Sequence, residues 1–150
     1  MSRTFTNLLT HLIFSTKNRE PFILPELQPE LYAYLAGLTK ELKGKPYTTN
    51  GTEDHLHMLI GLPPVVSISE ALRFIKSNSS GWVHHKWRRR RSFGWQLGYG
   101  AFSVSRSNVP KVLKYIRNQE EHHRKITFKE EFLDFLVKHE IEYDERYLWD

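Results

Sequence analysis

The sequence predicts an α+β fold, with an antiparallel sheet of the ferredoxin-like split βαβ type, helices on one face and a C-terminal helical extension. Hydrophobic periodicity switches between strand and helix in the order βαββαβα. Gly, Pro and Asn separate the periodic segments, and the chain contains no internal repeats or low-complexity tracts. At 150 residues, we expect a single domain spanning residues 1–150 with a conventional hydrophobic core.

The first half of the chain alternates between strand and helix patterns. Residues 5–16 are rich in β-forming side chains in loose alternation, which predicts a strand. Residues 26–43 place leucines at helical spacing, and a Gly and a Pro follow them. Residues 47–50 and 54–62 then predict a strand pair around Gly51.

The second half begins with a helix-start signal and ends in an amphipathic segment. Ser67 and Glu70 have the spacing of a capping box, which predicts a helix opening there. The glycine-rich residues 94–105 predict a strand with bends, and residues 109–125 predict a helix that begins near a proline. A further amphipathic helix is predicted from about residue 128 to 139.

Composition limits the classes of function. The chain has no cysteine, which excludes disulfides and thiolate zinc sites and favours a reducing, cytoplasmic location. We find neither a signal-peptide pattern nor an apolar run long enough to span a bilayer, so no membrane association is expected. The net charge is +5, but residues 119–150 carry ten acidic and five basic side chains, which leaves +10 on the first 118 residues. A polyanion such as DNA should therefore approach the front of the chain.

Two histidines separated by one residue are the first candidate site. Side chains alternate along a strand, so His55 and His57 point to one face while Leu56 and Met58 point to the apolar one. We expect the sheet face that carries the histidines to be open, because the helices are predicted on the other face. The alternative is an ordinary polar pair on a solvated strand.

A tyrosine and a glutamine four residues apart are the second candidate. Positions four apart are neighbours on a helix, so Tyr115 and Gln119 should share a face. A packed aromatic and a surface glutamine are the alternatives. A tyrosine that attacks a phosphodiester needs no nucleotide cofactor, and the chain contains no P-loop pattern. Nearby cations such as Lys111 and Lys114 are expected to help form the phenolate.

Four segments together resemble the single-tyrosine HUH transposases of bacterial insertion sequences, including those associated with repetitive extragenic palindromes. They are HLIFSTK (11–17), HLH (55–57), WQLGYGAFSVS (95–105) and YIRNQEEHH (115–123), and they occur in the order found in that family. The histidine pair alone is a weak signal. The four segments at this spacing are a strong one, and they cover most of the chain.

The resemblance implies a mechanism and a site. Tyr115 would be the nucleophile that cuts single-stranded DNA beside a hairpin, leaving a 5′-phosphotyrosine and a free 3′-OH. His55, His57 and Gln119 would hold a divalent ion, Mg²⁺ or Mn²⁺, with open positions for a phosphate. A homodimer in which active sites are shared between subunits is also implied. The sequence allows such exchange if residues 98–107, which contain Gly98 and Gly100, form a loose approach to the tyrosine helix.

A basic stretch is the expected contact with DNA. Arginines can pair with phosphates while a nearby tryptophan stacks on an unpaired base, although a plain solvated charge run is the common alternative. The candidate DNA-binding residues are Arg73, Lys76, Lys86, Arg88, Arg89, Arg90 and Arg91.

Several residues near these motifs have weaker assignments. Glu53 or Asp54 is a candidate for orienting an imidazole. His11 is expected to be structural, and His122 to have a minor supporting role. Two other functions stay open. One is the related chemistry of HUH replication initiators and relaxases, and the other is a domesticated, non-catalytic DNA-binding protein.

Overall fold

A four-stranded antiparallel sheet forms the centre of the protein. The structure is a computed structural model that describes residues 3–87 and 92–149. The strands are β1 (Leu8–Ser15), β2 (Lys45–Gly51), β3 (His55–Leu62) and β4 (Gly100–Ser103), in the spatial order β2-β3-β1-β4. All three strand pairings are antiparallel. The predicted fold class is confirmed.

Helices fill most of the remaining described sequence. They are α1 (Gln28–Glu41), α2 (Ile68–Lys86), α3 (Val109–Arg117), α4 (Gln119–His122), α5 (Phe128–Lys138) and α6 (Glu145–Leu148). Ser67 caps α2 by accepting a hydrogen bond from the Glu70 amide at 3.1 Å, as predicted. Thr127 and Glu130 form a reciprocal capping box that fixes the start of α5. Within the described ranges, no helix is long and apolar enough to cross a membrane.

The two faces of the sheet carry different side chains because β1 and β3 alternate. Leu12 and Phe14 of β1 and Leu56 and Met58 of β3 pack with α1 and α2 in the larger core. The opposite face carries the histidine pair together with further apolar side chains, namely Leu9, Ile13, Leu59 and Phe102.

The histidine face is covered, although we expected it to be open. Val109 and Ile116 of α3 pack on one part of it, and Phe128, Phe132 and Leu136 of α5 pack on another. The physical reason is that this face is itself largely apolar, so it gains free energy by burial. The C-terminal extension therefore forms a second layer over the sheet.

The tyrosine helix is shorter than predicted. We expected one helix over residues 109–125, but α3 ends at Arg117 and α4 begins at Gln119. Between them, Asn118 has φ −99° and ψ 20°, outside the helical region. At this break Asn118 is exposed, whereas the next residue, Gln119, is fully buried.

Two glycines mark close approaches that position the site. A Cβ on Gly51 would lie 2.1 Å from the carbonyl oxygen of His55, so only glycine fits the turn that leads into β3. A Cβ on Gly100 would lie 2.7 Å from Cε2 of Phe132. The predicted loose approach through Gly98, Gly100 and residues 103–107 is therefore wrong in part, because Gly100–Ser103 is β4 and packs beneath α5.

Candidate metal and tyrosine site

The histidine pair is buried and its outer nitrogens are already oriented. His55 and His57 are both 0% exposed on β3. His55 Nδ1 lies 2.8 Å from Asp54 Oδ1 and 3.0 Å from Thr52 Oγ1. His57 Nδ1 lies 2.8 Å from His11 Nε2. The Nε2 atoms of both rings therefore face the same space, and the contacts of their Nδ1 atoms fix the orientation of each ring.

Two weaker assignments are decided by this arrangement. Asp54 orients an imidazole, as proposed from the sequence, whereas Glu53 contributes its backbone carbonyl to the Ile23 amide at 2.9 Å. His11 is buried and supports His57 from β1. Burial lowers the pKa of His11 to about 3, and the pKa of His57 to about 4 despite a nearby carboxylate. Both rings are therefore neutral at pH 7, the form that binds metal ions.

Tyr115 reaches this space from α3. Its ring centroid lies 5.7 Å from that of His57, and its hydroxyl lies 3.1 Å from His122 Nε2. The hydroxyl donates a short hydrogen bond to Oε2 of Glu131. Burial and this carboxylate raise the pKa of Tyr115 well above its usual range. We expected Lys111 and Lys114 to activate the Tyr115 hydroxyl, but the hydroxyl contacts the Glu131 carboxylate and the His122 imidazole.

Gln119 joins the same cluster from the start of α4. Its side chain is fully buried, and Oε1 lies 3.1 Å from His55 Nε2. Its amide nitrogen donates to Glu131 Oε2 at 3.3 Å. All four residues predicted for the active site, from three different elements, thus converge in one chain.

Glu131 is the residue that the sequence interpretation missed. It lies on α5, is only 2% exposed, and receives hydrogen bonds from His57 Nε2 at 2.9 Å and from His123 Nε2 at 3.0 Å. Burial would raise the pKa of Glu131, but the hydrogen bonds from His123 and His57 outweigh it and hold the carboxyl ionised. A signal did exist, since Glu131 falls three residues after Phe128 on the buried stripe of an amphipathic helix.

His123 is the second missed residue, although its motif was noticed. Burial opposes its charged form, but the Glu131 carboxylate and the Ile126 carbonyl raise the pKa of His123. His123 is thereby held against the buried Glu131 carboxylate. The adjacent His122 contacts both the Tyr115 hydroxyl and Glu131 Oε2, so a supporting role remains the prediction for it.

The donor set fits a divalent ion. One ligand atom from each of His55, His57, His123 and Glu131 can be chosen so that all lie within 4.8 Å of one another. Three imidazoles and one carboxylate, with the Gln119 amide beside them, suit Mn²⁺ and similar transition ions. Mg²⁺ fits less well, because it prefers oxygen ligands and retains its waters.

The predicted DNA-binding residues on α2 lie across the sheet from this cluster. Arg73 is exposed and, together with Lys76, lines a cavity of about 430 Å³ beside Leu97 and Tyr99. Lys86 is also exposed, with its Nζ 3.4 Å from Glu30 Oε2. Arg88, Arg89, Arg90 and Arg91 lie outside the described residues.

Lys76 has a structural task. Its ammonium donates to the carbonyl oxygens of Gln96 at 2.6 Å, Leu97 at 3.4 Å and Gly98 at 2.8 Å. Burial lowers the pKa of Lys76 to about 8. The segment that it holds reaches the end of the sheet beside the site, because Gln96 pairs with Ser15, whose strand partner is His55.

An open groove adjoins the cluster on its other side. It has a volume of about 860 Å³, and its lining includes Arg19, Asn50, Arg117, His123 and Arg124. Asn50 Nδ2 donates to the carbonyls of Ile116 and Arg117, which fixes the end of α3 against β2. The groove therefore leads from the surface to the edge of the histidine cluster.

Known proteins resemble this chain in sequence and in fold. The family model described as "Transposase IS200 like" matches residues 4–119. The transposase for insertion sequence element IS200 of Salmonella typhimurium is 26% identical over 126 residues, covering 81% of this chain and 82% of that protein, and the Salmonella typhi protein gives the same values.

Two solved structures share the fold. A putative transposase from Deinococcus radiodurans R1 superimposes with a TM-score of 0.66 at 21% identity, covering 79% of this chain and 95% of that chain. A REP-associated tyrosine transposase bound to a REP hairpin gives a TM-score of 0.61 at 14% identity, covering 84% of this chain and 74% of that one.

Proposed function

The chain belongs to the IS200-like transposase family, and we propose that it cuts and rejoins single-stranded DNA at hairpin-marked ends through a covalent bond to Tyr115. The observation that carries the proposal is the convergence of Tyr115, His55, His57 and Gln119 on one buried space. The family resemblance assigns the nucleophile and the metal ligands to the same four residues.

The cleavage step exchanges one phosphate ester for another. The Tyr115 oxygen bonds to the phosphorus while the bond from phosphorus to the 3′ oxygen breaks, so the phenol loses its proton and the 3′ oxygen gains one. The 5′-phosphotyrosine retains the bond energy, and attack by a 3′-OH rejoins the strand. A divalent ion held by His55, His57 and Gln119 would polarise the scissile phosphate and orient it.

Glu131 governs the phenolic proton. Its Oε2 atom accepts the hydrogen bond from the Tyr115 hydroxyl and keeps the proton on the phenol. The raised pKa of Tyr115 means that the phenol stays protonated in the arrangement seen here. Premature formation of the nucleophile is therefore disfavoured until a substrate and a cation alter the surroundings.

The DNA path follows the charge and the open surfaces. Arg73 and Lys86 would hold the hairpin on the α2 side, and the segment held by Lys76 would lead the strand around the end of the sheet. The arginine run 88–91, outside the described residues, is proposed as a further DNA contact. The groove lined by Arg19, Arg117 and Arg124 would take the single strand beside the site. The solved relative bound to a REP hairpin supports hairpin DNA as the ligand class.

Assembly and location complete the proposal. A homodimer with shared sites is implied by the resemblance, whereas within one chain Tyr115 already faces its own His57. Exchange would require α3 to leave Asn50 and the cluster around Leu59. We place the activity in the cytoplasm, where such an enzyme meets its DNA.

Adduct formation tests the nucleophile. Purified protein with Mn²⁺ or Mg²⁺ is mixed with single-stranded oligonucleotides that span palindromes flanking its coding sequence. A 3′ label should migrate with the protein on a denaturing gel, because the tyrosine retains the 5′ end of the downstream fragment. Tyr115→Phe should abolish the adduct, preserve DNA binding and lower stability by about 1.5–3 kcal/mol, the cost of one hydrogen bond to a charged group.

The matched control is Tyr147→Phe, since Tyr147 is 68% exposed on α6 and should be dispensable. An undiminished adduct in Tyr115→Phe would exclude this tyrosine. Specific DNA binding by the wild type without any adduct would instead indicate the domesticated, non-catalytic alternative.

A further inference from the structure

We propose that Glu131 and His123 are direct ligands of the ion, and that Glu131 bridges the ion to the Tyr115 hydroxyl. The inference rests on the metal-dependent function proposed above and extends it. Both residues lie beyond residue 119, where the match to the family model ends. The C-terminal extension would therefore supply part of the metal centre itself.

The two oxygens of Glu131 have separate partners. Oε1 faces the imidazoles, at 2.9 Å from His57 Nε2, 3.0 Å from His123 Nε2 and 3.5 Å from His55 Nε2. Oε2 faces Tyr115, Gln119 and His122. An ion among the imidazoles would bind Oε1 while Oε2 continues to hold the nucleophile.

The position of Glu131 is set independently of the polar cluster. The capping box at Thr127 fixes where α5 begins, and Phe128, Phe132 and Leu136 fasten its inner face to the sheet. Glu131 falls on that inner face. Its carboxylate is therefore delivered to the histidines by apolar packing.

Packing alone does not explain why the Glu131 carboxylate is buried. Moving an ionised carboxylate out of water costs several kcal/mol unless its partners compensate fully, and an apolar side chain would dock α5 at lower cost. The partners gathered here include three imidazoles whose ligand nitrogens, together with a Glu131 oxygen, lie within 4.8 Å of one another. A set of three imidazoles and one carboxylate is suited to binding a divalent metal ion.

The extra ligands alter which ion should bind. His55, His57 and Gln119 alone offer two nitrogens and one neutral oxygen. With His123 and Glu131 the set has three nitrogens and a negative charge, which favours Mn²⁺, Co²⁺ or Zn²⁺ over Mg²⁺. We expect Mn²⁺ to bind at least about 100-fold more tightly than Mg²⁺, a difference that a nitrogen-rich donor set explains.

Metal affinity of the whole chain tests the inference without DNA. Mn²⁺ binding is measured by isothermal titration for the wild type, Glu131→Gln, His123→Asn and Glu130→Gln. Glu130→Gln is the matched control, because Glu130 is exposed on the same helix and glutamine preserves a capping box. Circular dichroism and urea unfolding of the metal-free proteins verify that each variant is folded.

Direct ligation predicts a loss of more than about 100-fold in both Glu131→Gln and His123→Asn, beyond the 10- to 100-fold typical of residues that only orient a ligand. Glu130→Gln should bind like the wild type. Losses of about 100-fold or less in either variant would overturn direct ligation and leave the proposed function standing. A wild type that binds no divalent ion would overturn both.

X-ray absorption of the wild type provides a second measurement that does not depend on variants. At the Mn or Zn edge, three imidazoles around the ion would support the inference. Two imidazoles would overturn it, even if both variants failed to fold.

Discussion

Replacing Phe132 with alanine tests whether apolar packing holds α5 on the sheet. Phe132 is 4% exposed, stacks on Phe128 with ring centroids 5.7 Å apart and contacts Trp149 at 6.0 Å. Its ring also fills the space above Gly100 that a Cβ there would need. Truncation of a buried phenylalanine to alanine costs about 3–5 kcal/mol through lost transfer energy and the cavity left behind.

That loss should be visible in local opening of α5. Since 1.4 kcal/mol corresponds to a tenfold change in an equilibrium constant, the opening of α5 should increase about a hundredfold to several-thousandfold. Amide hydrogen exchange across residues 128–138 measures it directly. Metal affinity should fall only where the open form of α5 becomes the major one, because the apparent Kd depends on the fraction of molecules with Glu131 in place.

Val137→Ala is the control for this experiment. Val137 is on the same helix but 63% exposed, so its truncation should change the opening free energy by no more than about 0.5 kcal/mol. Unchanged protection of α5 in Phe132→Ala would refute the reasoning, since α5 would then not depend on the packing described.

Two further predictions concern assembly and DNA binding. If active sites are shared within a dimer, a one-to-one mixture of Tyr115→Phe and His57→Ala subunits should recover about a quarter of the wild-type sites after subunit exchange. If each site lies within one chain, the mixture should recover none. Adduct formation, measured once heterodimers have been demonstrated, decides between the two arrangements. Alanines at residues 88–91 should reduce both DNA affinity and the slope of log affinity against log salt, because fewer counterions are released. Lys76→Met is the control and should leave that slope unchanged, since the Lys76 ammonium is held by backbone carbonyls. Equal slopes in the wild type and the alanine variant would exclude the arginine run as a DNA contact.

The sequence predicted those parts of the site that depend on local periodicity. Alternation along β3 placed His55 and His57 on one face, and the structure has them there. The four-residue spacing brought Tyr115 and Gln119 to one cluster, although the helix between them breaks at Asn118. Strand alternation and helical spacing are properties of a few neighbouring residues, which is why they can be read without the fold.

The parts that could not be predicted depend on contacts between distant segments. Nothing local reveals that α5 returns to the sheet, and in the sequence Glu131 is one of ten acidic residues between positions 119 and 150. Lys76 is predicted to extend the DNA-binding track because it lies on the helix that precedes the basic run, but the carbonyls of residues 96–98 that it contacts lie about twenty positions away. A buried charge on an apolar stripe was the one local clue.

The family pattern ends at residue 119, whereas the layer that closes over the histidines begins afterwards. A fragment cut at that point would contain the tyrosine, both histidines and the glutamine, and would still expose Ile13 and Phe102 to water. Such a fragment would still match the family model, but its exposed apolar surface would promote aggregation. Under the proposal that Glu131 and His123 bind the ion, boundaries chosen from sequence similarity alone would divide this protein through its metal site. Grafting the last thirty residues of a relative would then exchange two ligands while Tyr115, both histidines and Gln119 stayed in place.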